Sequence, residues 1–471
     1  MNLMSLERLS AAALLLGLVQ APEVLAKQVQ MEVSMPNPVL LANQKQTTYL
    51  KVGMTGFPMA NERSRPPVNV AIVLDRSGSM SGEKLERAKD AAKEAIDRLS
   101  GQDIFSLVVY DSVVDVLVPA TKVGDKHSLH QRVDQIRSGQ STALFAGVSK
   151  GAAELRKFLE LERVNRVILL SDGIANKGPS RPAELGDLGA SLIKEGISVS
   201  TIGLGLDYNE DLMAKLADRS DGNHVFVEHP NQLVGVFNEE FGDILSVVAQ
   251  EIDIKIRTAP NIRPVRVLGW DADISGNEVH VSMNQIYSEQ EKYVIVEVEV
   301  PATSAERKID VATVEVAYTN METSSTDRLS GAVKLGFSES KEVVRAQLNR
   351  DVIISCTTQI ATANNAIATR LRDEGKVDQA RRVLTDNYAY LEERGRALKS
   401  DFLLQYGFSN RADALNLDEE NWKRQRKQMR FRQQINMKQQ SAGNSVQQQQ
   451  DDASSLPQSF QGPTQNGAKS R

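Results

Sequence analysis

One short stretch of this 471-residue sequence places a carboxylate and two hydroxyls at regular intervals. Asp75, Ser77 and Ser79 directly follow an apolar run at residues 70–74. The i, i+2, i+4 spacing predicts three side-chain oxygens on one side of an extended loop, and Gly78 lets the backbone fold tightly around whatever they hold. One carboxylate and two hydroxyls are short, hard ligands of the kind that suits Mg²⁺ or Mn²⁺.

Two further segments add oxygen ligands of the same kind. Thr142 lies in the loop before a predicted helix, and Asp172 directly follows an apolar run at residues 167–170. Asp and Ser are also common in turns and at helix N-caps, so a loop that binds no metal is the alternative explanation. The combined set of Asp75, Ser77, Ser79, Thr142 and Asp172 predicts a divalent-metal site.

The elements around these residues alternate between short apolar strands and amphipathic helices. Strands are predicted at residues 70–74, 105–109, 167–170, 199–202 and 225–227. Helices are predicted at residues 84–99, 130–136, 144–159, 183–194 and 210–218, and a final helix at about 231–245 leads out of the region. Continuous apolar strands alternating with helices predict a doubly wound α/β domain with a mostly parallel sheet, whose ligands bind at the carboxyl ends of the strands.

A different periodicity follows this region. Apolar residues alternate with polar ones over residues 252–256, 279–283, 294–300, 311–318 and 333–337, which predicts an antiparallel β-sandwich. Two similar strands precede the α/β region, near residues 29–35 and 49–54. Because isolated strands cannot bury their apolar faces, we expect them to join the later sheet, so that the α/β domain is an insertion in the sandwich.

The predicted organisation has six parts. They are a signal peptide at 1–26, N-terminal strands of the sandwich at 27–66, the α/β domain at 67–246, the sandwich at 247–340, a helical region at 341–410 and a disordered tail at 411–471. Residues 61–67, rich in charge and proline, form a predicted linker into the α/β domain. The tail contains a basic cluster at residues 423–432 and a glutamine run at 447–450. The cluster is interpreted as a solvated helix end, with binding to an anionic envelope surface as the alternative.

The N-terminal segment predicts export. Arg8, an apolar run at residues 11–19 and small residues ending at Ala26 occur in the order of a secretory signal. A buried or amphipathic N-terminal helix is the alternative. No later segment is apolar for long enough to span a bilayer. We expect a periplasmic, cell-surface or secreted protein, with peripheral association with the envelope left open.

Composition narrows the function classes. The net charge of -5 argues against binding nucleic acid through a basic field. Cys356 is the single cysteine, so neither an intrachain disulfide nor a cysteine zinc site can form, and a buried structural thiol is expected.

The three metal-site segments resemble the von Willebrand factor A family and its metal-ion-dependent adhesion site (MIDAS). The family pattern is Asp-x-Ser-x-Ser, then a separate Thr and a separate Asp, and all five positions are filled here in the same order. The resemblance covers about residues 68–245. Around residues 80–112 and 171–178 the sequence looks most like the bacterial branch often labelled inter-alpha-trypsin-inhibitor-like or calcium-activated-chloride-channel-like.

This resemblance implies a role for each residue. Ser77, Ser79 and Thr142 would bind the metal through their hydroxyls, and Asp75 and Asp172 would act directly or through water. An ion held mainly by neutral oxygens keeps positive charge, so an Asp or Glu of a partner protein can bind to it. The expected function is metal-dependent protein binding in adhesion or scaffolding, with Mg²⁺ or Mn²⁺ as the cofactor.

Two other functions compete with this one. A metal-dependent hydrolase would need catalytic groups, but the histidines lie away from the strand-end loops, and neither a His-Glu-x-x-His motif nor a nucleophile elbow is present. An enzyme is therefore not expected. A scaffold that uses the fold without metal is the stronger competitor, and the complete five-residue set argues against it. The resemblance also suggests that a shift of the exit helix changes metal coordination, with a simple connector as the alternative.

Overall fold

The structure is a computed structural model that describes residues 28–59, 65–160 and 162–440. The predicted signal peptide and its cleavage position after Ala26 lie outside these residues. So do residues 61–64 of the predicted linker and everything after residue 440.

Three strands precede the α/β domain: β1 (Val29–Ser34), β2 (Val39–Leu41) and β3 (Gln46–Gly56). The chain then enters a six-stranded sheet formed by β4 (Val68–Asp75), β5 (Ile104–Tyr110), β6 (Val114–Lys122), β7 (Val164–Ser171), β8 (Ile197–Leu204) and β9 (His224–Val227). The strand order is β6-β5-β4-β7-β8-β9. Strands β4, β5, β7 and β8 are buried along their whole length, because helices cover both faces of the sheet.

The six helices of this domain divide between the two faces of the sheet. They are α1 (Glu83–Arg98), α2 (Lys126–Asp134), α3 (Leu144–Leu155), α4 (Pro182–Ile193), α5 (Glu210–Arg219) and α6 (Leu233–Leu245). The apolar sides of α1, α2 and α6 share one core with the sheet, and those of α3, α4 and α5 share the other. This arrangement confirms the predicted doubly wound α/β fold.

Strand β6 is not among the predicted strands. It pairs antiparallel with β5 at the edge of the sheet, and most of its residues are exposed or half-buried. An edge strand lacks the continuous apolar run that marks the buried strands, and its short link from β5 leaves no room for a crossover helix.

The sandwich is built from strands on both sides of the α/β domain. Its later strands are β10 (Val247–Thr258), β11 (Arg263–Leu268), β12 (Asp273–Ser275), β13 (Glu278–Tyr287), β14 (Glu291–Val300), β15 (Lys308–Asn320) and β16 (Ser325–Ser338). One sheet has the order β1-β3-β14-β11 and the other β12-β13-β10-β15-β16-β2. Val52 of β3 lies opposite Val294 of β14, and β2 runs parallel to β16. The prediction that the α/β domain is inserted in the sandwich is confirmed.

Helices α7 (Lys341–Ala346), α8 (Arg350–Asp373), α9 (Val377–Leu398), α10 (Asp401–Leu415) and α11 (Glu419–Lys438) follow the sandwich. Helix α8 covers the outer face of the four-stranded sheet, where Val352 and Cys356 pack against Tyr293 and Ile295. The single cysteine is buried, as predicted, and burial raises the pKa of its thiol to about 12. In the part of the chain that the structure describes, no helix is long and apolar enough to cross a bilayer.

The prediction of a disordered tail from residue 411 is wrong as far as residue 438. Helix α10 continues to Leu415, and the basic cluster lies on α11. Phe431 and Ile435 of this helix pack into the core shared by α3, α4 and α5. The high charge of the segment concealed this apolar stripe.

The basic residues of α11 face acidic groups that are distant in sequence. Arg426 pairs with Glu210 and Asp211 of α5, and its guanidinium also lies 2.9 Å from Asp373 of α8. Arg430 pairs with Asp211 at 3.0 Å. These cations bind the α/β domain, so neither a solvated helix end nor an anionic envelope surface describes this part of the cluster.

Candidate metal centre

The two candidate carboxylates lie at the same edge of the α/β sheet. Strand β4 ends at Asp75, and Asp172 directly follows the end of β7. These strands are parallel neighbours, with Leu74 opposite Leu170, so their carboxyl ends emerge side by side. Both aspartate residues have no exposed surface.

Both carboxylate oxygens of Asp75 accept hydrogen bonds from within the protein. The backbone N–H of Ser77 donates to Oδ1 at 2.8 Å, and the Ser171 hydroxyl donates to Oδ2 at 2.7 Å. Burial raises the pKa of Asp75 to about 6, although these hydrogen bonds favour its charged form. Asp75 therefore shapes the loop and places negative charge beneath it.

The hydroxyls of Ser77 and Ser79 lie together in the loop, with their Oγ atoms 3.1 Å apart. Ser77 is buried, whereas Ser79 is exposed at the mouth of the site. The Gly78 N–H donates to the Gln140 carbonyl at 3.1 Å, which ties this loop to the one that carries Thr142. The alternating spacing places these hydroxyls side by side, as predicted, but Gly78–Met80 form a short 3-10 turn rather than an extended loop.

Thr142 is held by the loop that follows β7. Its backbone N–H donates to the Asn176 side-chain carbonyl at 2.9 Å, and the Asn176 N–H donates to the Thr142 carbonyl at 3.2 Å. The following helix, α3, lies close against β4, since a Cβ at Gly151 would come within 2.5 Å of Val73. These contacts bring the third hydroxyl to the strand ends.

The three hydroxyls converge beside Gly173. A Cβ placed on Gly173 would lie 3.2 Å from the Thr142 hydroxyl, 3.4 Å from that of Ser79 and 3.9 Å from that of Ser77. A larger residue would fill the space that these oxygens face. Gly173 is not among the residues with positive φ, so this close approach, rather than the backbone conformation, accounts for glycine here.

Asp172 has a partner on each oxygen. The Ser79 hydroxyl donates to Oδ1 at 2.7 Å, and the Lys84 ammonium lies 2.5 Å from Oδ2. Neither Lys84 nor Ser171 was predicted to belong to the site. A basic residue in the first turn of α1 opposes the helix dipole, and this is the sequence feature that could have indicated Lys84.

The donor set fits a small divalent cation. Three hydroxyls and two carboxylates are hard oxygen ligands, and the space beside Gly173 faces three of them. The five residues named from the sequence therefore occupy one place in the fold. In the described ranges 28–59, 65–160 and 162–440, no group of three or more His, Cys, Asp or Glu side chains is arranged to hold a metal.

Two exposed aliphatic side chains flank the centre. Ile174, next to Gly173, is 61% exposed, and Val113, in the β5–β6 turn, is 56% exposed. The Lys177 ammonium donates to the Ser112 carbonyl at 2.6 Å and links the two loops that carry them. Val113, Ile174 and Lys177 thus form a rim around the centre that combines apolar side chains with a cation.

A crevice of about 800 Å³ lies elsewhere, between the α/β domain and the sandwich. Trp270 and Lys438 line it together with acidic and basic side chains, and none of the five candidate metal residues does. The candidate centre is instead an open site at the strand ends.

Comparisons of sequence agree with this fold. The sequence model of the von Willebrand factor type A domain matches residues 69–239. Synechocystis sp. has an uncharacterised protein, sll0103, that is 25% identical over 58% of this chain and 66% of that protein. YfbK of Escherichia coli, also uncharacterised, is 26% identical over 48% of this chain and 40% of its own length.

The rat inter-alpha-trypsin inhibitor heavy chain H3 is 27% identical over 39% of this chain and 22% of the inhibitor chain. The chain therefore spans just under two thirds of the Synechocystis protein and a smaller share of the other two.

Two solved structures share the architecture. A von Willebrand factor type A protein from Catenulispora acidiphila has a TM-score of 0.64 at 17% identity and covers 80% of this chain and 89% of its own. VWA2, the ArnB paralog of Sulfolobus acidocaldarius, has a TM-score of 0.61 at 17% identity and covers 88% of this chain and 99% of its own. Domains of this type are generally protein-interaction modules that commonly bind a divalent metal. Residues 69–239, which lie in the domain inserted in the sandwich, thus match the von Willebrand factor type A domain.

Proposed function

We propose that the protein binds an acidic residue of a partner protein through a divalent cation held by Asp75, Ser77, Ser79, Thr142 and Asp172. The convergence of three neutral hydroxyls beside Gly173 is the observation that carries this proposal. It would place Mg²⁺ or Mn²⁺ among ligands that supply little charge.

The internal hydrogen bonds explain why such a centre would favour an acidic partner. Both oxygens of Asp75 are engaged by Ser77 and Ser171, and both oxygens of Asp172 are engaged by Ser79 and Lys84. The carboxylates therefore would offset only part of the charge of the cation, which would still attract an incoming Asp or Glu. When bound, the ion would supply electrostatic attraction for that carboxylate.

Binding to a partner, rather than catalysis, is the function proposed. Chemistry on a substrate would need an acid, a base or a nucleophile that can reach it. Asp75 and Asp172 are both buried and hydrogen-bonded within the protein, and the exposed Ser79 hydroxyl is assigned here to the metal. A metal-independent scaffold in the cell envelope is the alternative that the following experiment separates.

Asp75→Ala is expected to weaken Mg²⁺ binding about 10- to 100-fold, because this residue orients the loop and supplies charge behind the hydroxyls. Isothermal titration calorimetry checks the affinity. A pull-down from the cell-envelope fraction, with and without EDTA, tests whether capture of a partner protein depends on the metal. The envelope is the right source because residues 1–26 are proposed to direct export.

Asp115→Ala is the matched control, since this aspartate lies near the same edge of the sheet but is half exposed and pairs with Arg76. Partner capture that disappears with EDTA and with Asp75→Ala, but persists with Asp115→Ala, supports a metal-bridged partner. Capture that survives both treatments identifies the metal-independent scaffold instead.

The aliphatic rim is expected to contribute to the same interface. Replacing Val113 and Ile174 together by Ser should weaken partner binding about tenfold, because burial of each side chain removes apolar surface from water. The affinity for Mg²⁺ should stay unchanged, since neither side chain belongs to the metal set. Val343→Ser, at a 45% exposed position on α7, is the control. An equal loss of metal affinity would assign the two residues to the fold of the site rather than to the interface.

A further inference from the structure

Lys84 contacts the candidate centre from a position that the five-residue pattern does not include. It lies in the first turn of α1, directly after the metal loop, and its ammonium is 2.5 Å from Oδ2 of Asp172. The lysine side chain is 29% exposed, whereas the Asp172 side chain is fully buried. The pair therefore joins a buried anion to a cation at the rim.

The Lys84 ammonium lies between Asp172 and the β8–α5 loop. On one side, Asp172 presents one oxygen to Lys84 while its other oxygen accepts from Ser79. On the other side lies the β8–α5 loop, where a Cβ at Gly205 would be 3.9 Å from the Lys84 nitrogen. Lys84 and Ser79 together hold the Asp172 carboxylate in one orientation.

We propose that Lys84 is a positioning residue that keeps Asp172 behind the hydroxyls and maintains positive charge where the partner's carboxylate binds. This inference rests on the proposed function and adds a specificity determinant to it. With both oxygens of Asp172 engaged, the cation is held chiefly by neutral hydroxyls. The fixed ammonium adds a second attraction for an incoming carboxylate.

Lys84 is expected to change the affinity for the metal ion and the affinity for the partner's carboxylate in opposite directions. Without Lys84, the cation meets less repulsion, and Asp172 loses the partner that restrains it, so metal binding becomes tighter. The same loss removes positive charge from the loaded centre, so carboxylate binding becomes weaker. Lys84 thus lowers affinity for metal and raises affinity for the acidic ligand.

The test uses the full-length protein with Lys84→Met, which keeps the length of the side chain and removes its charge. Mg²⁺ affinity, measured by calorimetry, should increase on the order of tenfold. Acetate is the carboxylate probe, titrated into the Mn²⁺-loaded protein and followed by water-proton relaxation. Its affinity should decrease at least threefold. Lys84→Arg, which keeps the charge, should restore both values toward those of the unaltered protein.

Lys93→Met is a closely matched control. Lys93 is on the same helix, pairs with Asp134 at 2.5 Å and has a 28% exposed side chain, but it does not contact the metal set. It should leave both affinities unchanged.

The outcomes separate this inference from the proposed function. Loss of Mg²⁺ binding, or equal weakening of both ligands, in Lys84→Met would assign Lys84 a structural role and overturn the inference. The proposed function would still stand if the unaltered protein binds Mg²⁺ and Asp75→Ala weakens that binding. Failure of the unaltered protein to bind Mg²⁺ at all would instead reject the proposed function.

Discussion

Gly173→Val is expected to reduce Mg²⁺ affinity at least about 100-fold while the protein stays folded. Even a single Cβ at this position would lie 3.2 Å from the Thr142 hydroxyl and 3.4 Å from the Ser79 hydroxyl. The two additional methyl groups of valine occupy the space that the three hydroxyls face. A small cation needs short oxygen contacts in a nearly ideal geometry, so obstruction here removes binding rather than weakening it slightly.

Calorimetric titration with Mg²⁺ measures this loss, and circular dichroism checks the fold. Gly124→Val is the control, because a Cβ at Gly124 has no neighbour within 4 Å and its φ is not positive. Unaltered Mg²⁺ affinity in Gly173→Val would show that the hydroxyls beside this glycine do not hold the ion.

Arg166→Met is expected to cause the largest loss of stability, about 3–5 kcal/mol in the free energy of unfolding. Arg166 has no exposed surface, and its guanidinium lies 2.9 Å from Glu240 of α6 and 3.1 Å from the Tyr287 hydroxyl of β13. It also donates to Ser200 at 2.7 Å. The substitution leaves the Glu240 carboxylate buried without a cation, which costs more than the original pair contributes.

Urea denaturation measures the change. Adding Glu240→Gln to Arg166→Met should recover part of the loss, because the uncompensated charge is then absent. Arg257→Met is the surface control, since the Arg257–Glu278 pair is exposed on both sides, and we expect it to change stability by less than about 1 kcal/mol. A loss of that small size in Arg166→Met would contradict the account of a buried pair that joins β7, the exit helix and the sandwich.

The same network bears on the hypothesis that a shift of the exit helix alters the metal centre. Glu240 anchors α6 to β7 through Arg166, and the other end of β7 carries Ser171 and Asp172. One buried strand, joined to the exit helix by the Arg166–Glu240 ion pair, thus connects that helix to the candidate site. Coupling along it stays a prediction.

The sequence predicts those strands that are buried on both faces, because such strands are continuous runs of apolar residues. The continuous apolar runs at residues 70–74 and 167–170 lie in β4 and β7, and the unpaired N-terminal strands indicated the insertion. The five candidate metal residues were found because their types and spacing match a known pattern, and the structure brings them together at one edge of the sheet.

The remaining features depend on contacts between residues that are distant in sequence. The sequence predicts a disordered tail where helix α11 forms, because the charges of this helix have partners on α5 and α8, some 50 to more than 200 residues away. The role of Lys84 is not apparent from the sequence for a similar reason, since its partner Asp172 lies 88 residues along the chain. Edge strand β6 lacks a strong apolar run because most of its residues are exposed or half-buried at the edge of the sheet.

The insertion of the α/β domain determines how the protein carries mechanical load. The chain enters the domain after β3 and leaves it through α6 into β10, so two covalent connections join it to one sandwich. A force applied at the strand-end site would therefore reach the sandwich through both connections, whereas a domain joined in tandem would transmit it through one.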